Sequence, residues 1–266
     1  MSYELNPRDV LLYLSYIYKG EYDQILKAIK EKKPLKDKEN AIFNYVSSLN
    51  VKAITIMDDE YPQLLRQIYK PPFVIYYKGD ISILNRSESK ILGVVGSRKL
   101  TKYGYQSISS IVGHTIKKDN SIVVISGLAR GADYLGEISA YKENGTIISV
   151  LASGLDIIYP SSSSYLYMQK ERHLILSEYP LNTPPLPHHF ILRNRIIAGL
   201  ASTILIGEGE ERSGTSITAN LALENGKNVC CIPTNIFSEK KLCNELIKSG
   251  AYLISSSEDL INIIKN

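Results

Sequence analysis

The segment Ile91-Leu92-Gly93-Val94-Val95-Gly96-Ser97-Arg98 decides the fold. It is an apolar run without alternation, closed by glycine and polar residues, with helix-like sequence resuming near Lys102. A strand buried on both faces reads this way, because a parallel sheet needs helices on both sides. Comparable runs rich in Val, Ile and Leu stand at 122–125, 147–151, 174–176, 203–206, 229–232 and 252–254. Between them lie stretches of about 10 to 17 residues with helical periodicity. The alternation predicts an α/β fold with a doubly wound, mostly parallel sheet. Ligands of such sheets bind at the carboxyl ends of the strands, so the residues after each run are the candidates.

Upstream the pattern differs. From Asn6 to about Leu49 apolar residues such as Val10, Leu11, Leu14 and Ile17 fall at helical spacing, which predicts a small helical unit. Residues 27–40 interleave Lys with Glu and Asp, a solvated helix face and loop to which no function is assigned. An apolar run at 53–56, a turn at Asp58 to Pro62, a short helix through Leu64 and Leu65, Pro71-Pro72 and a strand at 73–77 then read as a connection. The expected plan is a small helical domain with its linker over residues 1–80 and the sheet domain over 81–266.

The chain of 266 residues, 44% hydrophobic, can bury a large core. No run of about 18 apolar residues and no signal-peptide stretch occurs, so a cytoplasmic protein without membrane partners is expected. Cys230, Cys231 and Cys243 form no Cys-x-x-Cys pair and read as reduced core thiols, with no metal site expected. The net charge of +4 permits nucleic-acid binding without arguing for it.

The strand ends carry the argument. Gly96 allows a tight turn, Ser97 offers a hydroxyl and Arg98 a guanidinium, a set suited to phosphate, although a turn with a surface arginine would look the same. The second run ends in Ser126-Gly127-Leu128-Ala129-Arg130-Gly131-Ala132-Asp133, a loop opening a helix whose free amides favour an anion, with Arg130 adding charge. Asp133 is expected to brace the helix terminus. After the third run, Pro160 and a serine stretch precede a helix carrying Tyr165, Tyr167, Lys170 and Arg172, residues that can hold a polynucleotide or simply pack. Beyond the fourth run, Arg193-Asn194-Arg195 form a polar cluster at an expected helix start. One of these arginines is expected to pair with a buried carboxylate such as Glu178. The neighbouring His188 and His189 lack metal-ligand spacing and read as loop residues. The fifth run leads to Ser213-Gly214-Thr215 at another helix N-terminus. Several such loops at one sheet edge imply several phosphates, hence a polymer.

Known catalytic and cofactor patterns are missing. No Gly-x-Gly-x-x-Gly with a ribose-binding acid, Walker loop, nucleophile elbow or His-Glu-x-x-His occurs, so no cofactor and no catalytic residue are assigned.

The residues resemble the bacterial DNA-processing proteins called DprA or Smf. The shared signatures are Asp59-Glu60-Tyr61-Pro62-Gln63-Leu64-Leu65-Arg66 with Pro71-Pro72, Val95-Gly96-Ser97-Arg98, Ser126-Gly127-Leu128-Ala129-x-Gly131, Tyr159-Pro160, Ser177-Glu178-Tyr179-Pro180, Phe190-x-x-Arg193-Asn194-Arg195-Ile196-Ile197-Ala198-Gly199-Leu200 and Ser213-Gly214-Thr215-x-x-Thr218-Ala219. The resemblance implies an extended Rossmann-like domain behind a SAM- or HhH-like helical one; some members carry a C-terminal winged-helix domain, which is not expected here. It also implies single-stranded DNA binding, homodimerisation and loading of the recombinase RecA in natural transformation or other recombination, with DNA binding carried by Arg98. The chain departs from the pattern at Gly136-Glu137, where a histidine is usual, and at Pro233-Thr234, where Pro-Gly is usual. The basic residue usual just past Tyr159-Pro160 is also missing, so Lys170 or Arg172 would have to supply it. Two alternatives stand beside this reading. One is a nucleoside-monophosphate phosphoribohydrolase, against which Thr218 occupies the place of the catalytic glutamate. The other is a non-catalytic small-nucleotide sensor using the same loops.

Overall fold

The computed structural model describes residues 6–31, 39–86 and 90–265. The charged stretch 27–40 therefore lies partly outside the described residues. The chain starts with three helices, α1 (Pro7–Ile17), α2 (Tyr22–Lys30) and α3 (Glu39–Ser47). Asn6 caps α1, accepting from the Arg8 amide at 2.9 Å, and Pro7 occupies its first turn, where a missing N–H costs nothing. Then follow β1 (Lys52–Thr55), the short α4 (Gln63–Arg66) and β2 (Val74–Lys78).

Seven strands alternate with helices from there on: β3 (Ile91–Val95), α5 (Lys102–Lys118), β4 (Val123–Ser126), α6 (Ala132–Lys142), β5 (Ile147–Leu151), α7 (Ser164–Tyr167), β6 (His173–Ser177), α8 (Pro187–Leu200), β7 (Thr203–Ile206), α9 (Gly214–Glu224), β8 (Asn228–Cys231), α10 (Leu242–Lys248), β9 (Tyr252–Leu253) and α11 (Ser257–Lys265). The sheet order is β1-β2-β6-β5-β4-β3-β7-β8-β9. Strands β3 to β9 are parallel, and β2 joins antiparallel to β6, with β1 antiparallel to β2. The fold is α/β, doubly wound and mostly parallel.

Alternate residues of each strand feed two cores. Leu92, Val94, Val124 and Leu205 face a cluster with Ile108, Val112 and Leu135 of α5 and α6. Ile91, Val95, Ile125 and Ile206 face one with Ile196, Ile197 and Ala219 of α8 and α9. Each fully buried Ile or Leu contributes about 1.5–3 kcal/mol relative to exposure. All three cysteines are free and buried, as a core role requires.

Three expectations change. The stretch 53–77, read as a connection, supplies β1 and β2, which extend the sheet beyond β6. Its turn and proline residues resemble a linker, yet Val74, Ile75 and Tyr76 are buried, and α1 packs on Val74 and Tyr76, with the Ser15 and Tyr76 hydroxyls 3.1 Å apart. The helix expected to begin near Arg193 starts at Pro187, since proline suits the first turn and Leu186 is already extended. The helix expected to carry Lys170 and Arg172 ends at Tyr167, and Arg172 has a left-handed φ of 52°.

Candidate nucleic-acid interface

The winding reverses at β3. From there the chain moves through β4, β5 and β6 on one side, then crosses to β7 and β8 on the other. A crevice opens at the carboxyl ends of adjacent strands at such a switch point. Here a cleft of about 330 Å³ occupies it, lined from the β3 end by Gly96, Ser97 and Arg98, from α8 by Phe190, Arg193 and Asn194, and from the β7–α9 junction by Ser213, Gly214 and Thr215.

Each wall has a physical basis. The turn after β3 is anchored by a carboxylate that the sequence did not flag. Glu208 is buried, and its oxygens accept from the Thr101 amide at 2.9 Å and hydroxyl at 2.8 Å, while Lys240 pairs with it at 3.0 Å. The Glu208 carbonyl also accepts from the Ser97 amide at 2.7 Å. Arg98 is thus held on a braced turn, exposed, with its guanidinium carbon 4.9 Å from the Phe190 ring centroid. Phe190 lines the cleft.

At α9 the Ser213 hydroxyl is committed to its neighbours. It accepts from the Ser216 amide at 3.4 Å and donates to the Glu210 carbonyl at 2.6 Å. The first helical amides, those of Gly214 and Thr215, find no acceptor among the described residues. Free first-turn amides with the helix dipole behind them favour an anion.

The loop 126–131 supports the cleft more than it lines it. Ser126 donates to the Val94 carbonyl at 2.5 Å in the core. Gly131 has φ of 83°, and a Cβ there would meet the Ser97 carbonyl at 2.1 Å, so glycine lets this loop lie against the Arg98 turn. The Ala132 amide donates to the same carbonyl at 3.1 Å, which removes it as an anion donor. Gly127 lies beneath Arg193, where a Cβ would fall 1.7 Å from Nη1. Arg130 is exposed and does not line the cleft; Ala129 and Asp133 do.

Arg193 and Arg195 divide their labour. Arg193, 3% exposed, donates to the Val150 carbonyl at 2.6 Å and lies 3.7 Å from Asp133 at the cleft floor. Burial pushes the Asp133 carboxyl up to about 6, against the opposing pull of Arg193 and Arg98 and of a hydrogen bond from the Gly127 amide. Glu137, fully buried one turn further along α6, is raised well above the carboxylate range, first by burial and then by the Asp133 charge. Arg195 points away from the cleft. It donates to Glu178 at 2.6 Å, the Lys70 carbonyl at 2.9 Å and the Leu192 carbonyl at 3.0 Å, which joins β6, α8 and the segment before β2. The pairing expected for one arginine is therefore that of Arg195 with Glu178.

Lys170 is not at the site. It is exposed three residues before β6, at the amino end of the parallel strands, opposite the cleft. Arg172 lies over the Tyr141 ring at 4.9 Å on that same side. His188 and His189 occupy the first turn of α8, not a loop, and Glu21 lies against both. No described helix is long and apolar enough to cross a membrane.

A doubly wound α/β protein with an arginine-rich, anion-directed cleft at its switch point is the class that this geometry defines. The chain belongs to the DNA recombination-mediator protein A family, whose model matches residues 52–265. It is 37% identical over 212 residues to DNA processing protein DprA of Streptococcus pneumoniae, covering 79% of this chain and 73% of that one. It is 38% identical over 213 residues to the Bacillus subtilis DprA, covering 79% and 70%. Its fold matches the X-ray structure of S. pneumoniae DprA with a TM-score of 0.78 at 30% identity, over 96% of this chain and 97% of that one. It also matches DNA processing protein A of Helicobacter pylori, a structure concerned with that protein's single-stranded DNA binding mode, with a TM-score of 0.68 at 27% identity over 80% and 95%. The family model includes residues 52–78, where β1 and β2 lie.

Proposed function

We propose that this chain binds single-stranded DNA in the switch-point cleft and acts as a recombination mediator rather than as an enzyme. The observation that carries the reading is the convergence of Arg98, Arg193 and the free amides of Gly214 and Thr215 on one open cleft. Guanidinium groups and helix-terminal amides are phosphate ligands, and the Phe190 ring beside them orients the Arg98 guanidinium. The exposed edge of the cleft suits a chain that continues past it. Support for single-stranded DNA comes from the H. pylori relative.

The non-catalytic reading has its own support. Thr218, where the related hydrolases carry glutamate, donates its hydroxyl to the Gly214 carbonyl at 3.0 Å and is buried. Asp133 is paired with Arg193 at 3.7 Å. Loading of RecA, service in natural transformation or other recombination, a homodimer and a cytoplasmic location complete the proposal, and they rest on the family resemblance. Fluorescence anisotropy with a labelled single-stranded oligonucleotide, its duplex and a nucleoside monophosphate tests the reading. Preference for the single strand is expected, with no free base released from the monophosphate. Equal competition by the monophosphate, or base release, would replace it with the sensor or hydrolase reading.

A further inference from the structure

Glu21, the residue preceding α2, reaches the first turn of α8, where its Oε1 lies 2.8 Å from His188 Nε2 and 3.1 Å from His189 Nε2. All three ligand atoms lie within 4.8 Å of one another. None of these residues lines the DNA cleft. We propose that they form a divalent transition-metal site of the zinc class, with Glu21 Oε1 and both histidine ε-nitrogens as ligands and a solvent-facing fourth position.

The ligand set is one that zinc accepts, carboxylate oxygen and imidazole nitrogen at about 2.0–2.2 Å. Tetrahedral ligands at those bond lengths stand about 3.3 Å apart. The two contacts of Glu21 Oε1, at 2.8 and 3.1 Å, need to open by only a few tenths of an ångström, and all three ligand atoms already lie within 4.8 Å.

One tautomer of His189 suits a cation. Its Nδ1 lies 3.2 Å from the Ala152 carbonyl and 3.5 Å from the Leu186 amide. The shorter contact needs a proton on Nδ1, which in neutral imidazole leaves a lone pair on Nε2 facing the Glu21 carboxylate. In the tautomer with Nδ1–H on the Ala152 carbonyl, two electron-rich atoms stand 3.1 Å apart, an arrangement that a cation between them stabilises. In the opposite tautomer Nδ1 accepts from the Leu186 amide and Nε2–H donates to Glu21. A metal at Nε2 with Nδ1–H on a backbone carbonyl is the usual outer arrangement of a metal-bound histidine. A second proton on His189 is the competing cation, and the experiment separates the two.

Access and rigidity also fit. The His189 side chain is 1% exposed and stacks on Tyr179 at 3.9 Å, which fixes its ring. The His188 side chain is 49% exposed and forms the mouth. A bound ion would tie α2 to the end of α8 that leads, one turn on, to Arg193.

The test uses the full chain, stripped with chelator and titrated with zinc chloride alone by calorimetry and thermal unfolding. One equivalent per chain and a raised Tm are expected, with affinity falling about tenfold or more in His188→Ala and in Glu21→Gln. Both residues are at least partly exposed, so these variants keep the test valid where His189→Ala loses the fold. Absence of zinc uptake by the wild type, or uptake that both variants retain unchanged, would overturn the proposal and leave a proton-bridged ion pair. DNA is not part of the assay, so the result is independent of the cleft's function.

Discussion

The guanidinium of Arg98 lies 4.9 Å from the centre of the Phe190 ring, so a residue of the β3 turn and a residue of α8 hold each other at the mouth of one cleft. Such a contact contributes about 0.5–1 kcal/mol at an accessible site and, more to the point, orients the charge. Phe190→Ala is expected to weaken oligonucleotide binding about 2- to 5-fold through this loss of placement. Arg98→Ala removes the charged donor itself and should cost about 10- to 100-fold. Anisotropy titrations with the two variants rank the effects, and equal losses would mean that Phe190 contacts DNA in its own right.

Gly127 is required because Arg193 occupies the space its side chain would take. Gly127→Ala must push the guanidinium off the Val150 carbonyl and away from Asp133. A displaced buried charge costs about 3–5 kcal/mol, and urea unfolding should show a loss of this order together with weaker DNA binding. A variant with wild-type stability would show that the loop yields instead.

Arg195 separates structure from function. Arg195→Met breaks the buried pair with Glu178 and should destabilise the fold by about 3–5 kcal/mol, read by chemical unfolding. The folded fraction should keep its oligonucleotide affinity within about twofold, since Arg195 does not face the cleft. A large affinity loss at unchanged stability would reverse the assignment.

The Asp133 carboxyl gives the cleft a pH dependence. Its folded value of about 6 stands above the ordinary 3.8, so between these pH values the folded state holds a proton that the unfolded chain has released. The stability contribution of Asp133 is present at low pH and is lost as pH rises through about 6. Protonation also removes the counter-charge of Arg193. Oligonucleotide affinity should rise as pH falls through about 6, and Asp133→Asn should bind more tightly at neutral pH and lose that rise. A parallel pH profile in the variant would place the titration elsewhere.

Much of this was legible in the sequence. The unbroken apolar run at Ile91 to Val95 marked a central strand, and the glycine and arginine after it marked the switch-point edge. The adjacent polar triplet at Arg193 to Arg195 was legible as a site with one arginine given to a carboxylate such as Glu178, but not as to which of the two. Opposite directions along one helix turn depend on where α8 starts, and the prolines before Pro187 hid that start. Glu208 was missed because a buried carboxylate is intelligible only with its partners Thr101 and Lys240, which are distant in sequence. Lys170 was assigned to the site because the helix before β6 was expected to run longer than it does. The strand at 73–77 was legible as β2, but its place in the sheet, like that of β1, was not, because proline and acidic turns surround both and antiparallel pairing with β6 leaves no local signal.

The central claim is that several phosphates of a single strand are held by the cleft. The most direct test is the salt dependence of oligonucleotide affinity, measured for the wild type and Arg98→Ala. The account predicts a linear log–log fall with a slope steeper than about −2 for the single strand, corresponding to at least three phosphates, and a slope shallower by about 0.7 in the variant. A flat dependence, or a slope unchanged by removing Arg98, would contradict it.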